Sequence, residues 1–563
     1  MQCKNCNQQF TIYPEDKEFY GKIGVPEPKL CPLCRQQRRL AWRNERIFYQ
    51  RNSDLSGKNI LSTYSTDKPF PVYEQEEWWS DDWDPFNYGR EIDWQRPILD
   101  QIMELFNQVP RPALFNSNNV NSYYGNLQEG NSNCYMEVGS GWSEACFYGT
   151  INVHCKDIVD SHYCHKCEVS YSLINCDNCY HCVNCQDCHN NIDCYFCFNC
   201  RGCNNCFGCV GLRNAKYCWL NEQIAPEEFN RRLENSGKYS YFSELKNKFS
   251  QFKKEQIHVY SILIKCERST GDHLTYCTNV KHGFDLVEAV NCAYFFCGEK
   301  ITDSYDCDVA GWPASWLYEI VGADTSSHMV FSAFCWHNNF LQYCHSCFGC
   351  QDIFGCFALH NRKFCILNKQ YSEEEYKRLL PKIIDKMKAD GDYGEFFPVK
   401  FSPYAYNETV AQEYYPLTRE EVLKRGWKWQ DNLPSTKGKE TIKAEDLADD
   451  IKDIKAEITK EILVCLTCGR NYKVIPQEVD FYQKMNLPLP RQCPYCRHME
   501  RIHLRNPRRL YSRQCMCDNI KHGHASNASR SDAGRCANQF ETPYAPDREE
   551  LVYCQECYEK EIY

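Results

Sequence analysis

Cysteine recurs along the middle of the chain with a period of three. All seventeen cysteines from Cys134 to Cys218 sit at positions leaving remainder two on division by three. Cys335, Cys344, Cys347, Cys350, Cys356 and Cys365 share that phase. No one-residue insertion breaks the lattice over 85 residues, as expected of stacked coils of fixed length. Three is not the strand period of two, but short strands separated by frequent turns, or polyproline-II-like segments, produce it. Among the seventeen, cysteine pairs number eight at a lag of 15, nine at 18 and eleven at 21. The 21 lag also gives the longest ladder: Cys134, Cys155, Cys176, Cys197, Cys218. The pattern predicts a β-solenoid with coils of 18–21 residues. Cys155, Cys176 and Cys197 stack if the coil is 21, and Cys164, Cys182 and Cys200 if it is 18. Stacked equivalents lie roughly 4.8 Å apart, too far for a disulfide without backbone movement. Interleaved aromatics (Tyr180, Tyr195, Phe196, Phe198, Phe207, Trp219) favour packed thiols over thiolate capture of zinc, copper or iron, since free cysteine behaves as a small hydrophobe.

The second cysteine block is a diverged copy of the first. Phe207-Gly208-Cys209 through Gln223 matches Phe354-Gly355-Cys356 through Gln370 at an offset of 147. Each copy runs into acidic helix-start residues, Glu227-Glu228 after Pro226 and Glu373–Glu375 after Ser372, so each solenoid is expected to end in a capping helix. Residues 56–133 are rich in Trp, Tyr, Asn and Pro. Residues 431–462 are charged, with Leu447, Ile451, Ile454 and Ile458 at helical spacing, which predicts a linker leading into a helix. The expected fold is mainly β and multidomain, with zinc ribbons at both ends flanking two cysteine-ladder β-solenoid segments, each capped by helix. The expected units are residues 1–55, ribbon plus basic helix; 56–133, connecting region; 134–220, solenoid; 221–258, helical cap. They continue as 259–368, second solenoid; 369–430, helical cap and extended segment; 431–463, charged linker; 464–513, second ribbon; 514–563, a third ribbon-like module.

The two ends of the chain repeat each other. Cys3-x2-Cys6, 24 residues, Cys31-Pro-Leu-Cys34 matches Cys465-x2-Cys468, 24 residues, Cys493-Pro-Tyr-Cys496 at an offset of 462. Phe19-Tyr20, Lys22, Pro26 and Pro28 meet Phe481-Tyr482, Lys484, Pro488 and Pro490. Two Cys-x-x-Cys turns supply four sulfurs at the edges of a tetrahedron with metal–sulfur bonds of about 2.3 Å. Fewer than about 50 residues build little core, so bound metal supplies the folding energy. Zinc is the default ion and iron the alternative.

The run Cys3-x2-Cys6…Phe10…Phe19-Tyr20-x-Lys22…Pro26-x-Pro28…Cys31-Pro32-x-Cys34-Arg35…Arg38-Arg39 resembles a "probable zinc-ribbon domain" of bacterial proteins of unknown function. The second copy matches as well, with Glu500 where Arg38 stands. The resemblance implies a zinc ribbon at each end, ligated by Cys3, Cys6, Cys31 and Cys34, and by Cys465, Cys468, Cys493 and Cys496. The whole layout is similar to large cysteine-rich proteins of uncultured bacteria, which have no assigned activity. A third candidate site has Cys536, seventeen residues, then Cys554-x2-Cys557. The segment Phe540-Glu541-Thr542-x-Tyr544-Ala545-Pro546-Asp547-Arg548…Tyr553-Cys554 resembles another bacterial ribbon. Its fourth ligand is one of Cys517, Cys515, His522 and His524, with Cys517 preferred.

An arginine run follows each ribbon. Arg35, Arg39, Arg43, Arg46 and Arg51 correspond to Arg497, Arg501, Arg505, Arg508 and Arg513. The first four of each set share a helical face, up to Pro507 in the second copy. Such a stripe suits a phosphate backbone, RNA or DNA, with Trp42, Tyr49 and Tyr511 beside it for stacking on bases. It equally suits an internal ion pair, for which Glu74, Glu76, Glu77, Asp81, Asp82 and Asp84 offer carboxylates.

Composition limits the function. The chain of 563 residues has a net charge of −10, so it is no wholly basic coat protein. The mean hydropathy of −0.64 and the absence of a long apolar run exclude a membrane span. The start of the chain lacks an apolar signal segment, and 41 cysteines without one point to the cytoplasm, to thiols and to metal. Cys493-Pro-Tyr-Cys496 resembles a glutaredoxin motif, but its Cys-x-x-Cys partner at ribbon spacing places it in a metal site. No phosphate-binding loop, dinucleotide fingerprint or HExxH is present. His162, His165 and His181 lie among cysteines as further possible ligands, more often simply polar residues. The sequence therefore predicts a non-catalytic protein with about three zinc sites that binds a macromolecule, nucleic acid first. The alternatives are a thiolate-rich metal store or sensor and a thiol–disulfide oxidoreductase.

Overall fold

The computed structural model describes residues 1–518 and 536–562. Its centre is a pair of parallel β-solenoids built from a three-residue unit. The first residue of each triplet points into the lumen. The second pairs with its equivalent in the next coil: Ser132 with Glu144, Tyr135 with Phe147, Glu168 with Tyr180. The third is left-handed, with φ of 51° at Asn184, 57° at Asp187 and 55° at Asn190. That conformation turns the chain at every third residue, and Asn and Asp tolerate it best. Turn residues also bond to one another between coils: Asn178 Nδ2 donates to Asn190 Oδ1 at 2.7 Å and Asn175 Nδ2 to Asp187 Oδ1 at 2.9 Å.

Register corrects the expected coil length. Cys194 pairs with Cys206, and Cys206 with Cys218, so the coil is 12 residues. Neither the 21-residue set nor the 18-residue set stacks. Four lumen ladders run at steps of twelve, among them Cys164, Cys176, Cys188 and Cys200. The solenoid stands, with a shorter coil and four three-residue sides.

The narrow lumen explains the cysteines. Inward backbone N–H groups need acceptors, and small side chains of the preceding coil supply them. Cys134 N–H donates to Ser122 Oγ at 2.9 Å, Cys203 N–H to Asn191 Oδ1 at 2.9 Å, and Cys146 N–H to Cys134 Sγ at 3.4 Å. Most lumen thiols in turn reach inward carbonyls, as Cys185 does with Val183 O at 3.6 Å and Cys194 O at 3.3 Å. Cysteine therefore fills the lumen as a compact group that both donates and accepts.

The stack begins before the first cysteine, where Asn116 and Ser117 pair with Gln128 and Glu129. The second solenoid has one short coil and one long one. Leu263 pairs with Leu274, eleven residues on, and Tyr305 with Tyr318, thirteen on. The two slips cancel, so Cys277, Cys292 and Cys307 leave the lattice phase and Cys335 rejoins it. Both solenoids end in a short antiparallel return, Cys218 with Gln223 and Cys365 with Gln370. Helices Pro226–Leu233 and Glu373–Asp390 follow, packing Phe229 near Trp219 and Tyr376 near Phe364.

The terminal modules dock crosswise. The N-terminal module covers the second solenoid, with Phe19 stacked on Tyr305 at 3.9 Å. The 465–504 module covers the first, with Tyr482 edge-on to Tyr171 at 5.6 Å. Residues 431–463 hold no α-helix. Leu447, Ile451, Ile454 and Ile458 lie on or beside short turns (Ala444–Asp446, Ile451–Asp453, Ala456–Lys460) and are buried against the second module. No described helix is long and apolar enough to cross a membrane.

Candidate metal centres

Three sets of four cysteines bring their sulfurs within 4.8 Å of one another: Cys3, Cys6, Cys31, Cys34; Cys465, Cys468, Cys493, Cys496; and Cys515, Cys536, Cys554, Cys557. The Cys6–Cys31 and Cys468–Cys493 sulfurs are each 3.7 Å apart, close to the edge of a zinc–thiolate tetrahedron. The donor set and its spacing fit a closed structural zinc site.

Local structure explains the spacing. Cys3 and Cys6 lie in a turn closed by the Gln2–Gln9 bridge. Cys31 is the N-cap of helix Pro32–Leu40 and Cys493 that of helix Pro494–Leu504, while Cys554 directly precedes helix Gln555–Ile562. Proline at the first helical position fixes both Cys-Pro-x-Cys starts. A helix N-terminus favours thiolate over thiol. One hydrogen bond recurs in all three sets: the N–H of the third cysteine donates to the sulfur of the first. The distances are 3.3 Å for Cys31 to Cys3, 3.2 Å for Cys493 to Cys465 and 3.2 Å for Cys554 to Cys515. Amides add to it, Asn5 Nδ2 to Cys34 Sγ at 3.3 Å and Asn538 Nδ2 to Cys554 Sγ at 3.5 Å. The hydrogen bond from Cys34 draws Cys31 down to about 5, and that from Cys515 draws Cys554 down to about 4.

The recurring bond also identifies the fourth member of the third set. Cys515 holds the place of Cys3 and Cys465, where Cys517 was expected. Cys517 is buried next to Cys557 but stands outside the set of four. His522 and His524 lie outside the described residues. The signal in the sequence was weak because the first turn, two residues between cysteines in the other modules, opens here to the stretch between Cys515 and Cys536.

The arginine stripes are engaged in internal ion pairs, one of the two roles open to them, though with other carboxylates than those of the Glu74–Asp84 segment. Arg35 and Arg39 bind Asp306 and Asp308 at 2.7 and 2.6 Å, and Arg38 binds Glu319 at 2.6 Å. Arg43 binds Glu45 at 2.5 Å, and Arg46 Nε meets His498 Nε2 at 3.0 Å. In the second copy Arg497 and Arg501 share Asp160 at 2.6 and 3.0 Å, and Arg505 and Arg508 share Asp285. Each of these arginine side chains is at most 10% exposed. The carboxylates come mostly from the solenoids, and none from the Glu74–Asp84 segment. Trp42 and Tyr49 are buried, and Tyr49 donates to Glu408 at 2.6 Å. Pairing offsets the desolvation, since each of these buried guanidinium groups lies beside a carboxylate. His165 and His181 pair with Asp177 and Asp193 of the next coil, and His162 meets Arg505.

A family model described as "Probable treble clef domain" matches residues 1–42. It refines the ribbon expectation, since the second cysteine pair opens a helix. No curated protein matches the chain. A solved structure described as a "putative acetyltransferase from Desulfovibrio desulfuricans G20" is 9% identical. It covers 50% of this chain and 82% of its own, with a TM-score of 0.11, and carries no argument. Residues 1–42 are thus similar to a treble clef family, and the described cysteine clusters are compatible with metal binding.

Proposed function

We propose that the chain is a non-catalytic zinc-bearing scaffold whose metal sites lock two solenoids into one rigid body for binding another macromolecule. The supporting observation is the repeated junction, in which helices Pro32–Leu40 and Pro494–Leu504 each start at a candidate zinc ligand and carry arginines paired with buried solenoid carboxylates. Zinc would be held by Cys3, Cys6, Cys31 and Cys34, by Cys465, Cys468, Cys493 and Cys496, and by Cys515, Cys536, Cys554 and Cys557. Its chemistry there is structural, because four thiolates leave no open coordination position. The lumen thiols already bond to backbone carbonyls, which favours packing over metal storage. Cys493 and Cys496 within a four-sulfur set disfavour thiol exchange. Free thiols throughout suit a reducing compartment such as the cytoplasm. Nucleic acid has no support from the arginines, so the partner's class is open to direct test. Metal analysis of purified protein tests the reading. About three zinc per chain supports it; ten or more means a store, and none ends it.

A further inference from the structure

The two arginine runs converge on a small, partly enclosed cavity walled by residues of both solenoids and apart from the cysteine sites. The cavity, about 20 Å³, is lined by Arg43, Glu45, Arg46, Thr150, His162, Tyr163, Glu413 and His498 among others. That volume holds one water-sized or halide-sized occupant. Arg43 Nε and His162 Nδ1 are buried without a hydrogen-bond partner. His162 Nε2 faces Arg505 Nη1 at 3.3 Å and must accept there, so Nδ1 carries the proton. His498 Nδ1 is unpartnered as well and, since its Nε2 accepts from Arg46 Nε, also carries a proton, so three N–H donors on lining residues are unmatched, a cost that buried groups rarely bear.

The lining sets two guanidinium groups, Arg43 and Arg46, against two carboxylates, Glu45 and Glu413, and the excess of positive charge lies on the second arginine run beside it. Three carboxylates, Asp160, Asp285 and Glu478, serve four guanidinium groups, Arg497, Arg501, Arg505 and Arg508. Of the two lining carboxylates, Glu45 is paired with Arg43, and Glu413 lies 3.7 Å from Arg46 Nε. Burial and the neighbouring Arg505, His498, Arg46 and Arg501 hold His162 far below its ordinary range, so it is neutral and presents a single N–H. Glu45, Arg46, Val410 and Glu413 also line a larger cavity of about 160 Å³, so they form the wall an entering ion would cross.

We propose that this cavity binds one small monovalent anion of halide type, held by Arg43 Nε–H and His162 Nδ1–H. The probe is bromide against a bulky anion, on the zinc-loaded full chain. Melting temperature should be higher in sodium bromide or chloride than in sodium gluconate at equal ionic strength. Crystals in bromide should give an anomalous peak between Arg43 and His162. Arg43→Lys, which removes the Nε donor, should lose the halide increment at unchanged zinc content. Equal melting in all three salts, a water alone in the cavity, or a bromide peak without any solution increment would each overturn the proposal. Should Arg43→Lys fail to fold, the wild-type comparison and the anomalous map decide.

Discussion

The Arg35 guanidinium lies 2.7 Å from the Asp306 carboxylate, and both are sealed from solvent. Arg497 stands 462 residues after Arg35 and meets Asp160 at 2.6 Å, 146 residues before Asp306. One contact thus occurs twice, with the chain crossing over: the first terminal module holds the second solenoid and the later one holds the first. Removing one partner of a buried pair leaves a charge without compensation, which typically costs about 3–5 kcal/mol. Asp306→Asn and Asp160→Asn should each lower urea stability on that scale. The pair replacement Arg35→Met with Asp306→Leu should recover most of it. Little change in either single variant would show that the contact does not hold the modules down.

Zinc content distinguishes the two candidate ligands of the third site. Cys515→Ala should reduce bound zinc from about three to about two per chain, because Cys515 completes the set of four. Cys517→Ala should leave zinc unchanged. The reverse pattern would make Cys517 the ligand. Cys31→Ser, at the first site, should also release about one zinc and expose the N-terminal module to proteolysis.

The lumen tolerates chemistry of one kind. Cys206 is fully buried, and its thiol meets Asn204 O at 3.5 Å and Ala215 O at 3.7 Å. Cys206→Ser keeps a small donor and acceptor and should change stability by less than about 1 kcal/mol. Cys206→Leu forces extra methylenes into a closed lumen and should cost about 1–3 kcal/mol or more. Thermal melting of the two variants checks the order, and equal melting would mean that the lumen has slack.

Much of this was legible in the residues. The duplicated Cys-x-x-Cys pairs stand close in sequence, so their sulfurs meet by local geometry. The three-residue lattice announced stacked coils because each triplet ends in a left-handed turn. Coil length was obscured by that same lattice: Cys pairs at a lag of 12 also number eleven, equal to the lag of 21. The Asn and Asp residues two places after many lumen cysteines, as in Cys182-Val-Asn184, carried the turn signal. The acidic partners of the arginines were invisible, since Asp160, Asp285, Asp306 and Asp308 are single residues scattered along two solenoids. Only the crosswise docking brings them to the helices, and no spacing rule encodes it.

Acid should weaken the hold on the third module through His258. This imidazole is buried, with Nε2 at 3.0 Å from Lys253 O and Nδ1 at 3.3 Å from Tyr544 Oη. Neutral histidine satisfies both, donating from Nε2 and accepting at Nδ1. Burial, and then the Lys253 charge, push its pKa down to about 4. An unfolded histidine titrates near about 6.5, so between those values the unfolded chain binds the extra proton. Stability from this group is therefore full above about 6.5 and is lost as pH falls toward 4, by about 3 kcal/mol in all. Strand Ile257–Val259 pairs with Leu551–Tyr553, so the loss falls on the strand that precedes Cys554. His258→Gln keeps one donor and one acceptor and removes the titration. Urea stability of wild type minus His258→Gln, measured from pH 7.5 to 4.5, should decline steadily below about 6.5. Protonation of the clustered cysteines is common to both proteins and cancels in the difference. A flat difference across that range would show that His258 takes up its proton without loosening the strand pair.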